Sequence, residues 1–176
     1  MIFIKKIYII SILCLLYLIY GASEKKQIVI PEESIRFRII ANSNSREDQN
    51  IKMKVKDNIE KLLPNIIEET SNIVEAESNL KSNINLIKST ISQTLERENR
   101  LQQFDVSIGK NYFPEKDFYG IKYPSGEYES LVVTLGEGTG DNWWCVLFPP
   151  LCLIEAEETE EVEYKLYIQE ILEKYM

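Results

Sequence analysis

The stretch that decides the fold is residues 136–153, which read GEGTGDNWWCVLFPPLCL. Its glycines, followed by Asp141 and Asn142, indicate a turn, and an uncharged run from Trp143 to Phe148 comes next, before two prolines. Trp, Val, Phe and Leu favour a β-strand, whereas Asp, Asn, Gly and Pro mark its ends. Alternation along a strand places Trp143, Cys145 and Leu147 on one face and Trp144, Val146 and Phe148 on the other. Both faces are apolar, so the strand is either central and covered on both sides or leaves one face for a partner.

The two cysteines of this stretch test whether the chain reverses after the strand. Cys145 and Cys152 are 7 positions apart, which is roughly 23 Å in an extended chain at about 3.3 Å per residue. A disulfide needs Cα atoms within about 7 Å of each other. A bond between them therefore requires a reversal at Pro149-Pro150, and the alternative is two buried, reduced thiols.

The N-terminal segment predicts export. Residues 1–23 carry two lysines at positions 5 and 6 and continue with an uncharged apolar run from Ile7 to Tyr20. This run suits a secretory signal and falls short of the roughly 20 residues that span a bilayer. Tyr20 makes a poor cleavage site, so a retained membrane anchor is the alternative. We expect 24–34 to be a linker or an edge segment and 35–176 to be a single domain, in an oxidising location that favours the disulfide.

Composition argues against several classes of function. The formal net charge of −8 disfavours nucleic acid as a partner, and also anionic lipid surfaces, so membrane contact is expected only through an uncleaved N-terminus. The chain has no histidine to serve as a base for a cysteine nucleophile, and two cysteines cannot build a zinc site. The glycines of 136–140 lack the Lys-Ser/Thr of a phosphate loop. Glu137 and Asp141 could form a carboxylate pair, which only their proximity supports. We therefore predict no enzyme activity, no metal and no cofactor.

The first part of the chain predicts a strand followed by a helix. Residues 35–40 alternate between apolar and basic side chains and then become fully apolar, which indicates a strand. Ser45 with Asp48 has the form of a capping box that starts a helix at about Arg46. The buried stripe of this helix would be Ile51, Val55, Ile59 and Leu62. Its solvated face would carry Lys52, Lys54 and Lys56.

The remaining patterns complete the prediction of an α+β domain. Asn72 and Glu75 open a single long second helix with its fringe at 99–100. Its core stripe comprises Ile73, Leu80, Ile84, Ile87, Ile91 and Leu95. Further elements are predicted as strands at 104–108 and 127–135, an acidic helix start at 155–163, and an amphipathic C-terminal helix. This order favours an antiparallel sheet of about four strands with two or three helices packed mainly on one face.

Two blocks of the sequence resemble the stage II sporulation protein R family. The first is IRFRIIANSNSREDQ at 35–49, followed by the lysine-rich pattern at 52–57, and the second is GEG to DNWWCVLFPPLC at 136–152. Together they bracket a resemblance over about 35–154. Asn44 is a departure, since family members usually carry Asp there, and this could weaken a local cap or contact.

The resemblance implies a signalling protein of endospore-forming bacteria. Such proteins are made in the forespore and exported to the space between the two septal membranes. There they activate a membrane-embedded aspartyl protease of the mother cell, which processes the precursor of sigma factor E. The alternatives are a septal cell-wall hydrolase that uses Glu137 and Asp141, and a membrane-anchored structural protein of the engulfment zone.

The partner surface implied by these blocks centres on the tryptophan strand. Our hypothesis is that a disulfide-closed hairpin of Cys145 and Cys152 presents Trp143 or Trp144 to the receptor, since buried Trp anchors often dominate interfaces. The alternative is that both tryptophans belong to the core. The full set of candidate partner-binding residues is Arg36, Arg38, Asn42, Ser43, Asp48, Gln49, Asn142, Trp143 and Trp144. Whether the polar clusters at 36–49 and 136–142 meet in space is left open by the sequence.

Overall fold

A computed structural model describes Ile12 and residues 28–67, 69–153 and 161–175. The predicted signal or anchor, except for Ile12, and most of the predicted acidic helix start lie outside the described residues. The strands are β1 (Ile28–Val29), β2 (Ile35–Ile40), β3 (Phe104–Phe113), β4 (Lys116–Phe118), β5 (Ile121–Tyr123), β6 (Gly126–Leu135) and β7 (Asn142–Phe148). The helices are α1 (Arg46–Glu60), α2 (Leu63–Ile67), α3 (Ile73–Ser82), α4 (Ile84–Arg97) and α5 (Glu161–Tyr175), with a 3₁₀ turn at Leu151–Leu153. The α+β class is confirmed. Within the described part of the chain, no helix has the length and apolar character needed to cross a membrane.

The larger sheet has four strands in the order β3-β6-β2-β7. β2 pairs antiparallel with β7, and β3 pairs antiparallel with β6. The central pair of β2 and β6 is parallel, with Arg36 opposite Ser130 and Ile40 opposite Thr134, so the prediction of an antiparallel sheet is wrong for this pair. The reason is the route of the chain: after β2 it passes through α1 to α4 and re-enters the sheet at the far edge as β3. The β3–β6 hairpin then brings β6 beside β2 in the same direction.

Both faces of this sheet are covered. Helices α1 to α4 pack on one face around the main core, in which Phe37, Val55, Leu80 and Ile91 are fully buried. On the other face lie a three-stranded sheet of order β1-β5-β4 and helix α5, which contributes to a second, smaller core. The second core is built from Ile30, Ile121, Val146, Leu151, Tyr164, Ile168 and Leu172.

The segment before β2 is packed rather than free. Ile28 and Val29 pair in parallel with β5, and the Ile30 side chain is buried in the second core. This agrees with the edge-segment alternative for that part of 24–34 and not with a free linker. Apolar side chains at three successive positions explain why this stretch joins a sheet.

The second helix is broken in two, against the prediction of one long helix. Asn83 leaves the helical conformation at φ −100° and ψ 9°. Its backbone N–H and its side-chain Nδ2 both donate to the Asn79 carbonyl oxygen, at 3.1 and 2.9 Å. An Asn side chain that competes for backbone carbonyls favours helix ends over helix interiors. The predicted stripe survives the break, since Leu80, Ile87 and Ile91 are all buried.

The capping predictions are confirmed at both sites, whereas the prediction that Lys52 lies in solvent is wrong. Ser45 caps α1 by accepting from Asp48 N, and Asn72 caps α3 by accepting from Glu75 N. Lys52, predicted to lie in solvent, is buried at 6% exposure because its Nζ donates to the Asp141 carbonyl oxygen at 3.0 Å.

Strand β7 has the predicted alternation over most of its length. Trp143, Cys145 and Leu147 face the main core, and Val146 faces the second core. Phe148 departs from the alternation and joins the main core, because the register with β2 shifts between Ile35 and Arg36.

The chain reverses after β7, as the proline pair predicts. Residues 149–150 form a turn and the 3₁₀ turn follows directly. Cys145 and Cys152 are joined by a disulfide with their Cα atoms 5.7 Å apart. The Cys152 sulfur lies 3.0 Å from the Val146 carbonyl oxygen, a contact that is no hydrogen bond because a disulfide sulfur carries no proton. The covalent closure therefore holds the turn against the end of the strand.

Candidate functional site

The candidate site is a groove of about 1420 Å³ along β7, the edge strand of the larger sheet. Consecutive residues 140–146 line it, together with residues from α1 on one side and from β4 and β5 on the other. Asn142 to Cys145 are half-buried, whereas Val146 to Phe148 are buried. We call this feature the β7 groove. Its open part is the first half of an edge strand, where the backbone groups that point away from β2 have no neighbouring strand among the described residues.

Trp143 forms the helix-side wall of the β7 groove. Its ring meets Phe37 edge-on, with the two ring centroids 5.3 Å apart. Lys56 Nζ lies 5.6 Å from the Trp143 ring centroid and is held there by Glu60 at 2.9 Å and Asp57 at 3.3 Å. The cation on this side is therefore neutralised within the chain.

Trp144 forms the opposite wall. Its ring contacts Phe113 at a centroid separation of 5.3 Å. The Arg38 guanidinium lies 5.4 Å from the ring centroid and Lys116 Nζ lies 5.9 Å from it. Both distances suit cation–π contact. The Trp144 wall thus carries cations on an aromatic surface.

Arg36 lies beneath this wall and is only 3% exposed. Its guanidinium carbon is 4.2 Å from the Tyr128 ring centroid and 5.6 Å from that of Tyr123. Nε and Nη2 of Arg36 have no hydrogen-bond partner among the described residues, and neither does Nε of Arg38. Burial lowers the pKa of Arg36 below its usual value, yet guanidinium keeps its proton in proteins. Burial also raises the pKa of Tyr123, which therefore stays neutral beside the cation.

The two polar clusters of the sequence meet at the start of the groove. Asn42 connects them: its Oδ1 accepts from Glu137 N and its Nδ2 donates to Asp48 Oδ2, each at 2.9 Å. The Asn42 carbonyl oxygen also accepts from Thr139 Oγ1 at 2.7 Å. We call the contact between residues 41–52 and 136–141 the polar junction. It joins the β6–β7 loop to the N-terminus of α1.

Asn44 extends the polar junction toward the groove. Asn44 Oδ1 accepts from Asp141 N at 2.6 Å, and its Nδ2 donates to Asp141 Oδ1 at 3.3 Å. An amide can both donate and accept here, whereas an aspartate at position 44 would place two carboxylates together. Gln49 donates to the Ser43 carbonyl oxygen at 3.0 Å and to Asn44 Oδ1 at 3.2 Å. Asn44, where family members usually carry Asp, therefore both accepts from and donates to Asp141.

Asp48 is the buried charge of the junction. Ser43 Oγ donates to Asp48 Oδ2 at 2.6 Å, and this bond, followed by the one from Asn42, lowers the pKa of Asp48. The carboxylate therefore stays ionised at the N-terminus of α1, where the helix dipole also favours negative charge.

Glycines permit the close approach of the two loops. A Cβ atom at Gly136, where φ is +56°, would lie 2.1 Å from Asn42 Oδ1. A Cβ atom at Gly140 would lie 2.3 Å from the Ser43 carbonyl oxygen. Gly136 and Gly140 are thus a packing requirement of the junction.

The predicted site residues fall into two groups. Arg36, Asn142, Trp143 and Trp144 line the β7 groove, and Arg38 contacts the Trp144 ring. The others, Asn42, Ser43, Asp48 and Gln49, build the polar junction that supports the groove. Sequence reasoning missed Lys56, Phe113, Lys116 and Tyr123. For Phe113 and Tyr123 the available signal was the density of aromatic residues between 112 and 123. Lys56 belongs to the lysine-rich pattern at 52–57, while nothing local marked Lys116.

The carboxylates proposed for acid–base chemistry do not share the groove. Asp141 lines it and is bonded to Asn44, whereas Glu137 is exposed and does not line it. Among the described residues, no group of His, Cys, Asp and Glu could hold a metal ion. The groove offers an aromatic contact surface and charged side chains.

Comparison with known proteins places these features in context. A family model described as stage II sporulation protein R matches residues 31–158. A curated protein named "Stage II sporulation protein R", from Bacillus subtilis (strain 168), is 38% identical over 141 residues. That alignment covers 80% of this chain and 63% of the relative, so the chain spans less than two thirds of the relative's length. No solved structure matches the chain.

Proposed function

This chain belongs to the stage II sporulation protein R family, and from that premise we propose that it is the exported signal between the two compartments of a sporulating cell. Family membership gives it a role in sporulation. In the proposal, the forespore secretes the protein into the space between the septal membranes. There it activates a membrane-embedded aspartyl protease of the mother cell, which processes the precursor of sigma factor E. The protein itself catalyses no reaction and acts by binding.

The observation that carries the proposal is the β7 groove. It presents two half-buried tryptophans on opposite sides of an edge strand, each fixed by an edge-on aromatic contact. Tryptophans in such partly desolvated positions are the residues that most often dominate protein–protein affinity. A groove of this kind suits a protein partner better than a small substrate.

The support around the groove is rigid, which favours recognition. The polar junction fixes the start of β7, and the disulfide fixes the turn beyond its end. Surfaces that are already ordered lose less conformational entropy on binding, so more of the contact energy appears as affinity. The second core covers the far end of the strand, leaving the first half of β7 as the accessible part.

The proposal is tested by reconstituting the full-length protein with the mother-cell protease in membranes and measuring cleavage of the sigma factor precursor. We expect Trp144→Ala to reduce activation at least about tenfold, because loss of a central aromatic anchor costs about 2 kcal/mol or more. Tyr112→Ala is the matched control, since Tyr112 is exposed and does not line the groove. A Trp144→Ala protein that is folded by circular dichroism and activates fully would refute the proposed surface. Failure of the wild-type protein to stimulate cleavage would refute the proposed function.

A further inference from the structure

The Trp144 wall of the β7 groove has an excess of positive charge. Arg36, Arg38 and Lys116 surround it, and within the described ranges none of them forms an ion pair. Asp117 also lines the groove on this side, but its carboxylate accepts from Gly120 N at 3.0 Å. We call this group of three cations around Trp144 the cationic cleft. It contrasts with the Trp143 wall, where Lys56 already has carboxylate partners.

Arg36 is the residue of the cleft that most requires a partner. The guanidinium bonds to the Tyr128 side chain, but its Nε and Nη2 have no acceptor among the described residues, and the ring faces of Tyr123 and Tyr128 offer them no lone pairs. These two nitrogens therefore lose their hydration without compensation. Buried polar groups are almost always satisfied, so an exception of this kind needs a reason. A carboxylate fits the planar fork of a guanidinium with two parallel hydrogen bonds. The missing acceptor is therefore expected to come from outside the described chain.

The neighbouring edge strand indicates how such a carboxylate would be delivered. β7 lies at the edge of its sheet and is half-buried from Asn142 to Cys145, so its outward backbone groups can pair with one more strand. A strand added there would run beside Trp143 and Trp144. Its alternate side chains would point toward the helix side and toward the cationic cleft.

Resting on the proposed function, we propose that the β7 groove binds an extended acidic segment of the receptor protein, which pairs with the free edge of β7 and places a carboxylate against Arg36. The net charge of −8 makes the protein repel acidic partners at long range. Recognition of an acidic segment therefore needs a local excess of cations, which the cationic cleft supplies. The same charge disfavours nucleic acid, which would need a broad basic surface.

The direct test uses two blocked peptides, Ac-Thr-Val-Glu-Val-Thr-NH2 and its Gln counterpart, with the wild-type domain. Binding is followed by the NMR signals of the Arg36 Nε–H and of the β7 backbone amides. We expect the Glu peptide to shift both sets of signals and to bind at least about tenfold more tightly than the Gln peptide, because a charge-assisted bidentate contact is lost. Equal binding of the two peptides would show that the cleft does not recognise a carboxylate. Shifts at Arg36 without shifts in β7 would exclude strand addition. Equal shifts with inorganic phosphate would show that the cleft binds small anions and not a peptide.

A second experiment separates this inference from the proposed function. Arg36→Gln is compared with Arg97→Gln, an exposed arginine of α4 that forms no ion pair among the described residues. In the reconstituted protease assay we expect Arg36→Gln to lose at least about tenfold in activation and Arg36→Lys to recover part of it. Full activity of folded Arg36→Gln, while Trp144→Ala is inactive, would overturn the inference and leave the proposed function intact. If Arg36→Gln does not fold, the peptide titration of the wild-type domain decides the question.

Discussion

Replacing Asn42 with alanine tests whether the polar junction holds the two halves of the site together. The side chain makes one hydrogen bond to the backbone N–H of Glu137 and one to the ionised carboxylate of Asp48, each at 2.9 Å. A neutral hydrogen bond contributes about 0.5–1.5 kcal/mol and one to a charged group about 1.5–3 kcal/mol. We therefore expect Asn42→Ala to lower the free energy of unfolding by about 2–4.5 kcal/mol.

The matched control for this variant is Asn50→Ala. Asn50 is exposed on α1, and its side chain makes no hydrogen bond to any of the described residues. Alanine is the better helix former, so this change should be neutral or slightly stabilising. Urea unfolding followed by tryptophan fluorescence gives both values on the same probe. Asn42→Ala and Asn50→Ala proteins that differ by less than about 0.5 kcal/mol would show that the junction contributes little and that the reasoning is wrong.

Two further predictions concern the disulfide and the pH dependence of stability. Replacing Cys145 and Cys152 with serine should lower the free energy of unfolding by about 2.5 kcal/mol, the chain-entropy value for so small a loop; in urea unfolding under oxidising conditions, a change below about 0.5 kcal/mol would contradict it. The pKa of Asp48 is lowered in the folded protein by its bonds from Ser43 and Asn42, so its contribution is present above the unfolded pKa of about 4 and is lost as the pH falls through the folded value. Unfolding free energies measured from pH 6 down to pH 2 should therefore fall more steeply for the wild type than for Asp48→Asn, and parallel curves would refute this assignment.

Local patterns predicted those parts of the fold that depend on neighbours in sequence. The capping side chains of Ser45 and Asn72 were identifiable because a cap acts within three residues. The strand at β7 and the reversal behind it followed from composition and from the proline pair. These features need no knowledge of the rest of the chain.

Features that depend on distant partners could not be predicted in the same way. The parallel pairing of β2 with β6 depends on the route of the intervening helices, which no periodicity records. The sequence pattern predicted Lys52 to be solvated. Its burial is possible because its Nζ donates a hydrogen bond to the carbonyl oxygen of Asp141, a residue distant in sequence. The alternation at 35–40 indicates a strand but does not show that the second sheet and Tyr123 cover Arg36.

The site shows the same division. Its residues were identified from two blocks that are remote in sequence, and their contact through Asn42 appears only in three dimensions. Phe113 and Lys116 of the Trp144 wall come from β3 and β4, outside both blocks. A binding surface assembled from separate elements is therefore predicted only in part by any one stretch.

The central position of β2 has a consequence for the order in which the chain can fold. Both of its neighbours come from much later in the sequence, since Arg36 is opposite Ser130 in β6 and Val146 in β7. Contacts between such distant residues require closure of long loops and form slowly. During synthesis the earliest strand of the larger sheet must wait until nearly the whole chain has left the ribosome. A polypeptide kept open in this way would stay narrow enough to be threaded through a membrane pore, as the export proposed above requires.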